Sequence, residues 1–179
     1  DHAPALTANA DSIIPGAVFN VDIFCQAWHH VATATGHCFL VCDTLTEDLR
    51  MEKRATLRSG YTRGACATAA TKGALCALMH QRGFAHTSIR LPTGQEVTFQ
   101  LHSCSYTAYE GRSSVIKDAG DDPDVTHKAE ICSRVTWSEQ PGMHLTRGIG
   151  VGVVTRRGLP VPVGEPAINP VPRQMLTET

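Results

Sequence analysis

Ser59-Gly60-Tyr61-Thr62-Arg63-Gly64 is a glycine-bearing loop that runs directly into Ala65 to Gln81, an alanine-rich stretch of good helix formers with Gly83 just past its end. A loop feeding a helix N-terminus fixes one element of the fold and offers one chemistry. Exposed amides and the positive end of the helix dipole attract carboxylate or phosphate, and Arg58 and Arg63 add full charges beside them. The plainer alternative is that the glycines only make a turn and the small face of Ala67, Ala70 and Ala74 only packs.

The next segments indicate what such a helix packs on. Ser88 to Leu91 and Val97 to Leu101 flank a turn at Pro92-Thr93-Gly94-Gln95, and Val97, Phe99 and Leu101 alternate with polar neighbours, so a β-hairpin is predicted. Val115-Ile116 and Glu130 to Trp137 read as further strands. The expected fold class is α+β: a mixed or largely antiparallel sheet with a hairpin and a packed helix following the glycine loop.

After Ile116 comes Lys117-Asp118-Ala119-Gly120-Asp121-Asp122-Pro123-Asp124-Val125-Thr126-His127, with four aspartates in seven positions. Crowded carboxylates raise one another's pKa unless a cation such as Lys117 or amide donors compensate. Three readings fit: a divalent-metal loop, a proton-handling site, or a turn whose aspartates cap backbone amides. Pro123 stands where a calcium loop wants alternate ligands, and capping suits Asp121 and Asp124 well. Further on, Gly148, Gly150 and Gly152 suggest a dinucleotide loop, but Val151 to Thr155 reads as strand and Pro160 and Pro162 follow, so that reading is rejected. The tail from Val163 to Met175 has three prolines in seven residues, which predicts extended backbone holding Glu165, Asn169 and Arg173 at set positions.

A length of 179 residues suits one domain, or a domain plus an appendage. The apolar runs are short and no basic-then-apolar leader is visible, so a cytoplasmic, non-membrane protein is expected. Seven cysteines without CxxC spacing read as reduced thiols. Residues 1–50 carry six acids against one base, and residues 51–179 carry eleven acids against fifteen bases, so the net −1 conceals −5 and +4. A basic surplus over the second part suits an acidic ligand. In the first part, Val18 to Phe24 and His37 to Cys42 are candidate strands and Ala27 to Ala34 a helical turn, while Cys25, Cys38, Cys42, His29, His30 and His37 match no paired zinc spacing. Residues 1–50 are read as an unassigned extension, removable without loss of the fold, with Met51 as a natural start.

Three segments in order, Leu57 to Ala70, Lys117 to His127 and Val163 to Arg173, closely resemble the signature blocks of the cobalt-precorrin-5B C(1)-methyltransferase (CbiD) family. The resemblance covers about residues 57–179. It implies that residues 51–179 are the N-terminal domain of a two-domain fold whose C-terminal domain is absent here. It also implies an enzyme of anaerobic cobalamin synthesis, which moves a methyl group from S-adenosylmethionine to ring carbon 1 of cobalt-precorrin-5B to give cobalt-precorrin-6A. S-adenosylmethionine is the expected co-substrate, cobalt enters only within the substrate, and neither nucleic acid nor a membrane is an expected partner; a homo-oligomer is left open.

On that resemblance the catalytic candidates are Asp118, Asp121, Asp122 and His127. The candidates for binding substrate or cofactor are Arg58, Gly60, Tyr61, Thr62, Gly64, Lys117, Asp124, Thr126, Glu165, Asn169 and Arg173, and no protein-bound metal is expected. The three blocks are expected to converge on one cleft. Two departures stand out: Arg63 replaces the family's usual threonine, and Lys128 replaces a glycine able to take positive φ. Two rival readings remain: a non-catalytic corrinoid-binding fragment, and a metal-dependent phosphoryl-transfer enzyme built on the aspartate and glycine loops.

Overall fold

The computed structural model describes residues 7–8, 18–26 and 58–179. The elements are β1 (Thr7–Ala8), β2 (Phe19–Gln26), α1 (Arg63–His80), β3 (His86–Arg90), β4 (Glu96–Gln100), β5 (Ser103–Tyr106), β6 (Glu110–Ile116), β7 (Glu130–Trp137), β8 (Met143–Arg147) and α2 (Pro170–Thr177). They form two sheets, ordered β1-β3-β4 and β5-β6-β7-β2-β8. The first holds the predicted hairpin, paired from His86 with Gln100 to Arg90 with Glu96. The second is antiparallel from β5 to β2, and β8 joins β2 in parallel. The class is α+β with a mixed sheet, as expected.

Helix α1 starts where Thr62, in extended conformation, accepts the Ala65 amide through its hydroxyl, which satisfies one of the orphan donors of the first turn. Thirteen of its 18 residues are buried, so it is an interior helix rather than an amphipathic one. It packs against strands of both sheets and against α2. Small side chains make this possible: Gly111 of β6 lies where a Cβ would strike the Ala74 carbonyl. Buried hydroxyls at this contact are paired, with Ser113 donating to Ala70 C=O at 2.6 Å and the Thr71 and Ser133 hydroxyls 2.9 Å apart. The helix ends on Gln81 rather than Gly83. Gln81 adopts the left-handed conformation itself (φ 48°), and its side-chain amide donates to Leu78 C=O and Thr107 C=O.

The strand predicted at Val18 to Phe24 is present, but it does not stand apart from the rest. β2 pairs with β7 along all eight residues and with β8 from Phe19 to Ile23, and Phe19, Val21 and Ile23 point into the core. Removing residues 1–50 therefore takes out an interior strand. His37 to Cys42, Ala27 to Ala34, His29, His30 and Met51 lie outside the described residues.

Two local expectations are corrected. Val151 to Thr155 is not a strand; it makes one bridge, Val153 to Pro166. The reason lies upstream. The chain follows β2 through bonds from Cys25 N–H to Ile149 C=O and from Gly148 N–H to Ile23 C=O, then turns at Gly150 (φ 83°), and Val154 N–H is taken by Glu165 C=O across a loop. The proline-rich tail is not extended to Met175, because α2 begins at Pro170. Proline fits the first helical position, where its φ is preset and its missing N–H would lack a partner anyway. Met175 and Leu176 on α2 are buried in the core.

Candidate functional site

A cleft of about 690 Å³ is framed by the glycine loop and start of α1, by β2, by the turn of the β3-β4 hairpin, and by the chain around α2. That volume suits a small-molecule ligand. Ile23, Leu91, Val151, Ile168, Val171 and Met175 make its walls largely apolar, and Thr62, Arg63, Thr93 and Asn169 bring polar groups to it. Asn169 precedes α2 without using its side chain as a cap. At α1, Thr62 takes the Ala65 N–H with its hydroxyl and the Cys66 N–H with its carbonyl. The Arg63 and Gly64 amides have no partner among the described residues, and they sit at the positive end of the dipole. Cys66 lies in this first turn but is no nucleophile, since burial pushes its thiol up to about 11.

The glycine loop and the tail touch directly. A Cβ on Gly64 would press on the Pro172 ring at 2.7 Å. Arg173 shapes the tail, donating to Ile168 C=O at 3.0 Å and Pro166 C=O at 3.2 Å and pairing with Glu165 at 3.4 Å.

The aspartate loop is a set of caps and ion pairs. Asp118 accepts both arms of the Arg58 guanidinium, at 2.6 and 3.0 Å, and the Gly120 amide at 2.9 Å. Asp121 accepts the Arg58 amide at 2.7 Å. Asp124 accepts the amide and hydroxyl of Thr126 and the ammonium of Lys117, which is buried to 2% exposure and lies 2.8 Å away. The Arg58 guanidinium, then the Gly120 amide, hold the Asp118 carboxyl below the usual range, and Lys117 followed by Thr126 does the same for Asp124. His127 Nδ1 accepts the Ala119 amide at 3.1 Å. Asp122 is exposed and caps nothing described. The crowding of carboxylates is thus relieved by cations and amides, and among the described residues no three His, Cys, Asp or Glu side chains are placed to hold a metal ion.

A family model described as CbiD matches residues 50–179. The chain belongs to the CbiD family. It is 57% identical to a cobalt-precorrin-5B C(1)-methyltransferase of Geobacillus kaustophilus (strain HTA426) over 128 residues, which are 72% of this chain and 34% of that relative. It is 54% identical to the protein of the same name from Priestia megaterium over 123 residues, 69% of this chain and 34% of the relative. The one from Burkholderia vietnamiensis (strain G4 / LMG 22486) is 52% identical over 126 residues, 70% and 35%. The chain therefore spans about a third of the length of these curated relatives. No solved structure matches it.

Of the CbiD blocks, the first and third share the cleft, which Gly60, Tyr61, Thr62, Gly64 and Asn169 line. The second block does not: Lys117, Asp118, Asp121, Asp122, Asp124, Thr126 and His127 are absent from the lining, as are Arg58, Glu165 and Arg173. The expectation of one cleft shared by all three blocks is corrected to this extent. The turn at Ala119-Gly120 instead packs against the backbone of Ser59 and Gly60. Lys128, in place of the expected glycine, takes the positive φ itself (63°) and donates to Lys117 C=O at 2.8 Å, so the loop after His127 closes as a glycine would allow. Sequence reading missed the walls from Ile23, Cys25, Leu91 and Gly150. Gly150 carried a signal, since a positive-φ glycine packed on Cys25 C=O leaves no room for a Cβ.

Proposed function

We propose that this chain supplies the N-terminal part of a cobalt-precorrin-5B C(1)-methyltransferase, and that the cleft receives the reacting molecules, cobalt-precorrin-5B as acceptor and S-adenosylmethionine as donor. The observation that supports this most is the meeting of the first and third family blocks on one apolar cleft that carries free amides and Arg63. That combination fits an amphiphilic polycarboxylate. S-adenosylmethionine supplies an activated methyl group on its sulfonium, and the ring carbon that takes it gains one carbon–carbon bond as the carbon–sulfur bond breaks. The work left to the protein is alignment and exclusion of water. Leu91, Ile168 and Met175 cover an apolar face, the Arg63 and Gly64 amides with the Arg63 guanidinium hold a carboxylate, and Asn169 offers an uncommitted amide to a polar edge. Arg58 and Arg173 are already engaged by protein oxygens and serve the shape of the two blocks. Asp118, Asp121, Asp122 and His127 act from behind the glycine loop in this reading, not on the reacting atoms.

The chain's span of about a third of its relatives favours a second reading, a corrinoid-binding part that does not turn over alone. One experiment separates them. Purified chain is incubated with cobalt-precorrin-5B and methyl-labelled S-adenosylmethionine, with product mass and thermal shift both recorded. A product one labelled methyl heavier, lost in Gly64→Val, is the expected result. A corrinoid-induced shift without transfer selects the binding reading, and neither signal overturns both.

A further inference from the structure

We infer that the Arg58–Asp118 ion pair is a positioning device that holds the glycine loop in the shape it presents to the cleft; the inference rests on the reading of that cleft as the ligand site. The loop is clasped from behind along its length. Arg58 C=O accepts the Asp121 amide at 3.0 Å, Arg58 N–H donates to the Asp121 carboxylate, and Tyr61 N–H donates to Asp118 C=O at 2.7 Å. Ser59 and Gly120 form a bridge, and neither Gly60 nor Gly120 has room for a Cβ against the opposing backbone. On the other side the Tyr61 ring packs on Phe99, with centroids 4.7 Å apart. Between these anchors the Arg58 side chain is the one described group that ties the loop's entry to the opposing turn through a two-pronged ionic contact.

Stability does not account for that contact. The two side chains are 62% and 42% exposed, and exposed ion pairs add little to folding. What a planar fork on a carboxylate does supply is geometry. The next residues, Gly60 to Gly64, are the ones that line the cleft. A loop freed at Arg58 samples shapes that do not bind, and the apparent affinity falls by the fraction of time the competent shape is lost.

The test uses the full chain and three variants, Arg58→Ala, Asp118→Asn and the charge-swapped Arg58→Asp/Asp118→Arg. Asp118→Asn keeps an acceptor for the Gly120 amide. Three quantities are read: hydrogen exchange at the Tyr61 and Asp121 amides, the dissociation constant for cobalt-precorrin-5B by calorimetry, and the melting temperature. Each single variant should lose about tenfold in protection at both amides and about tenfold in affinity, a shift set by the competent fraction, with melting nearly unmoved; the swap should restore most of both. Protection unchanged in the single variants overturns the clasp. Protection lost while affinity holds overturns its service to the cleft, and failure of the swap to recover either points to a backbone role instead. If the unaltered chain binds no cobalt-precorrin-5B, the functional reading fails, and the exchange data still decide the clasp.

Discussion

Lys128 sits in a left-handed conformation that glycine adopts freely and an L side chain does not. Lys128→Gly relieves that strain but gives the unfolded chain more freedom, so the net gain should be about 0.5–1 kcal/mol in urea unfolding; a loss instead would mean that the lysine side chain holds the loop. Thr87 is the second informative residue. Its hydroxyl is fully buried with no hydrogen-bond partner, so Thr87→Val should stabilise the fold by about 1 kcal/mol by removing an unsatisfied group of the same shape. At this scale the sequence was legible where chemistry is local. Asp124 read correctly as a local cap because an aspartate in a tight turn finds nearby amides, whereas Asp121 takes the Arg58 amide 63 residues away and Asp118 pairs with the Arg58 side chain across 60 residues, and nothing local announces either.

Helix α1 was readable from its alanine-rich run after the glycine loop, and the hairpin from its alternation and turn, because both patterns reflect rules that act within a few residues. The start of α2 was misread because proline permits both extended chain and a first helical turn, and only burial of Met175 and Leu176 decides between them. The contact between α1 and β6 offers a sharp test. Gly111→Ala drives a methyl group into the Ala74 carbonyl, which has no rotamer to escape by, and should cost about 2–3 kcal/mol. Gly94→Ala, in a turn with open space but φ 85°, should cost only about 1 kcal/mol from strain. Equal losses in the two variants would show that helix and strand can shift apart. The thiol of Cys66, on the same helix, is pushed up to about 11 by burial and stays neutral at pH 8, so iodoacetamide should spare it in the native protein and modify it in denaturant.

For the molecule as a whole, acid acts through three paired carboxylates. Asp118, Asp124 and Glu110 have carboxyls held below their usual range, Glu110 chiefly by Arg112 and Arg134. Depressed carboxylates give stability that is complete above their unfolded pKa of roughly 4 and is lost as pH falls through the folded values. Melting temperature should therefore be flat from pH 7 to about 5 and fall below about 4. In Arg58→Ala the acid-induced drop should be nearly unchanged, because that exposed pair adds little to folding; a clearly shallower drop would show that the pair carries stability after all. The place of β2 was the least legible feature. Its alternation marks a strand, yet its partners are β7 and β8, more than 100 residues away in sequence, and a charge balance unlike the rest of the chain argued for separation. Deleting residues 19–26 should abolish cooperative unfolding, as judged by calorimetry and protease resistance.

The same strand sets a schedule during synthesis. β2 leaves the ribosome well before its two neighbours, which are not both complete until Arg147 has been added, 121 residues after Gln26. At typical elongation speeds of about 5–20 residues per second the wait is roughly 6–24 s. Through most of that interval Phe19, Val21 and Ile23 have no sheet to enter, and the strand carries two unpaired backbone edges. The nascent chain is therefore most open to chaperone capture, and to mispairing with other nascent chains, at a segment that later becomes an interior strand of its main sheet.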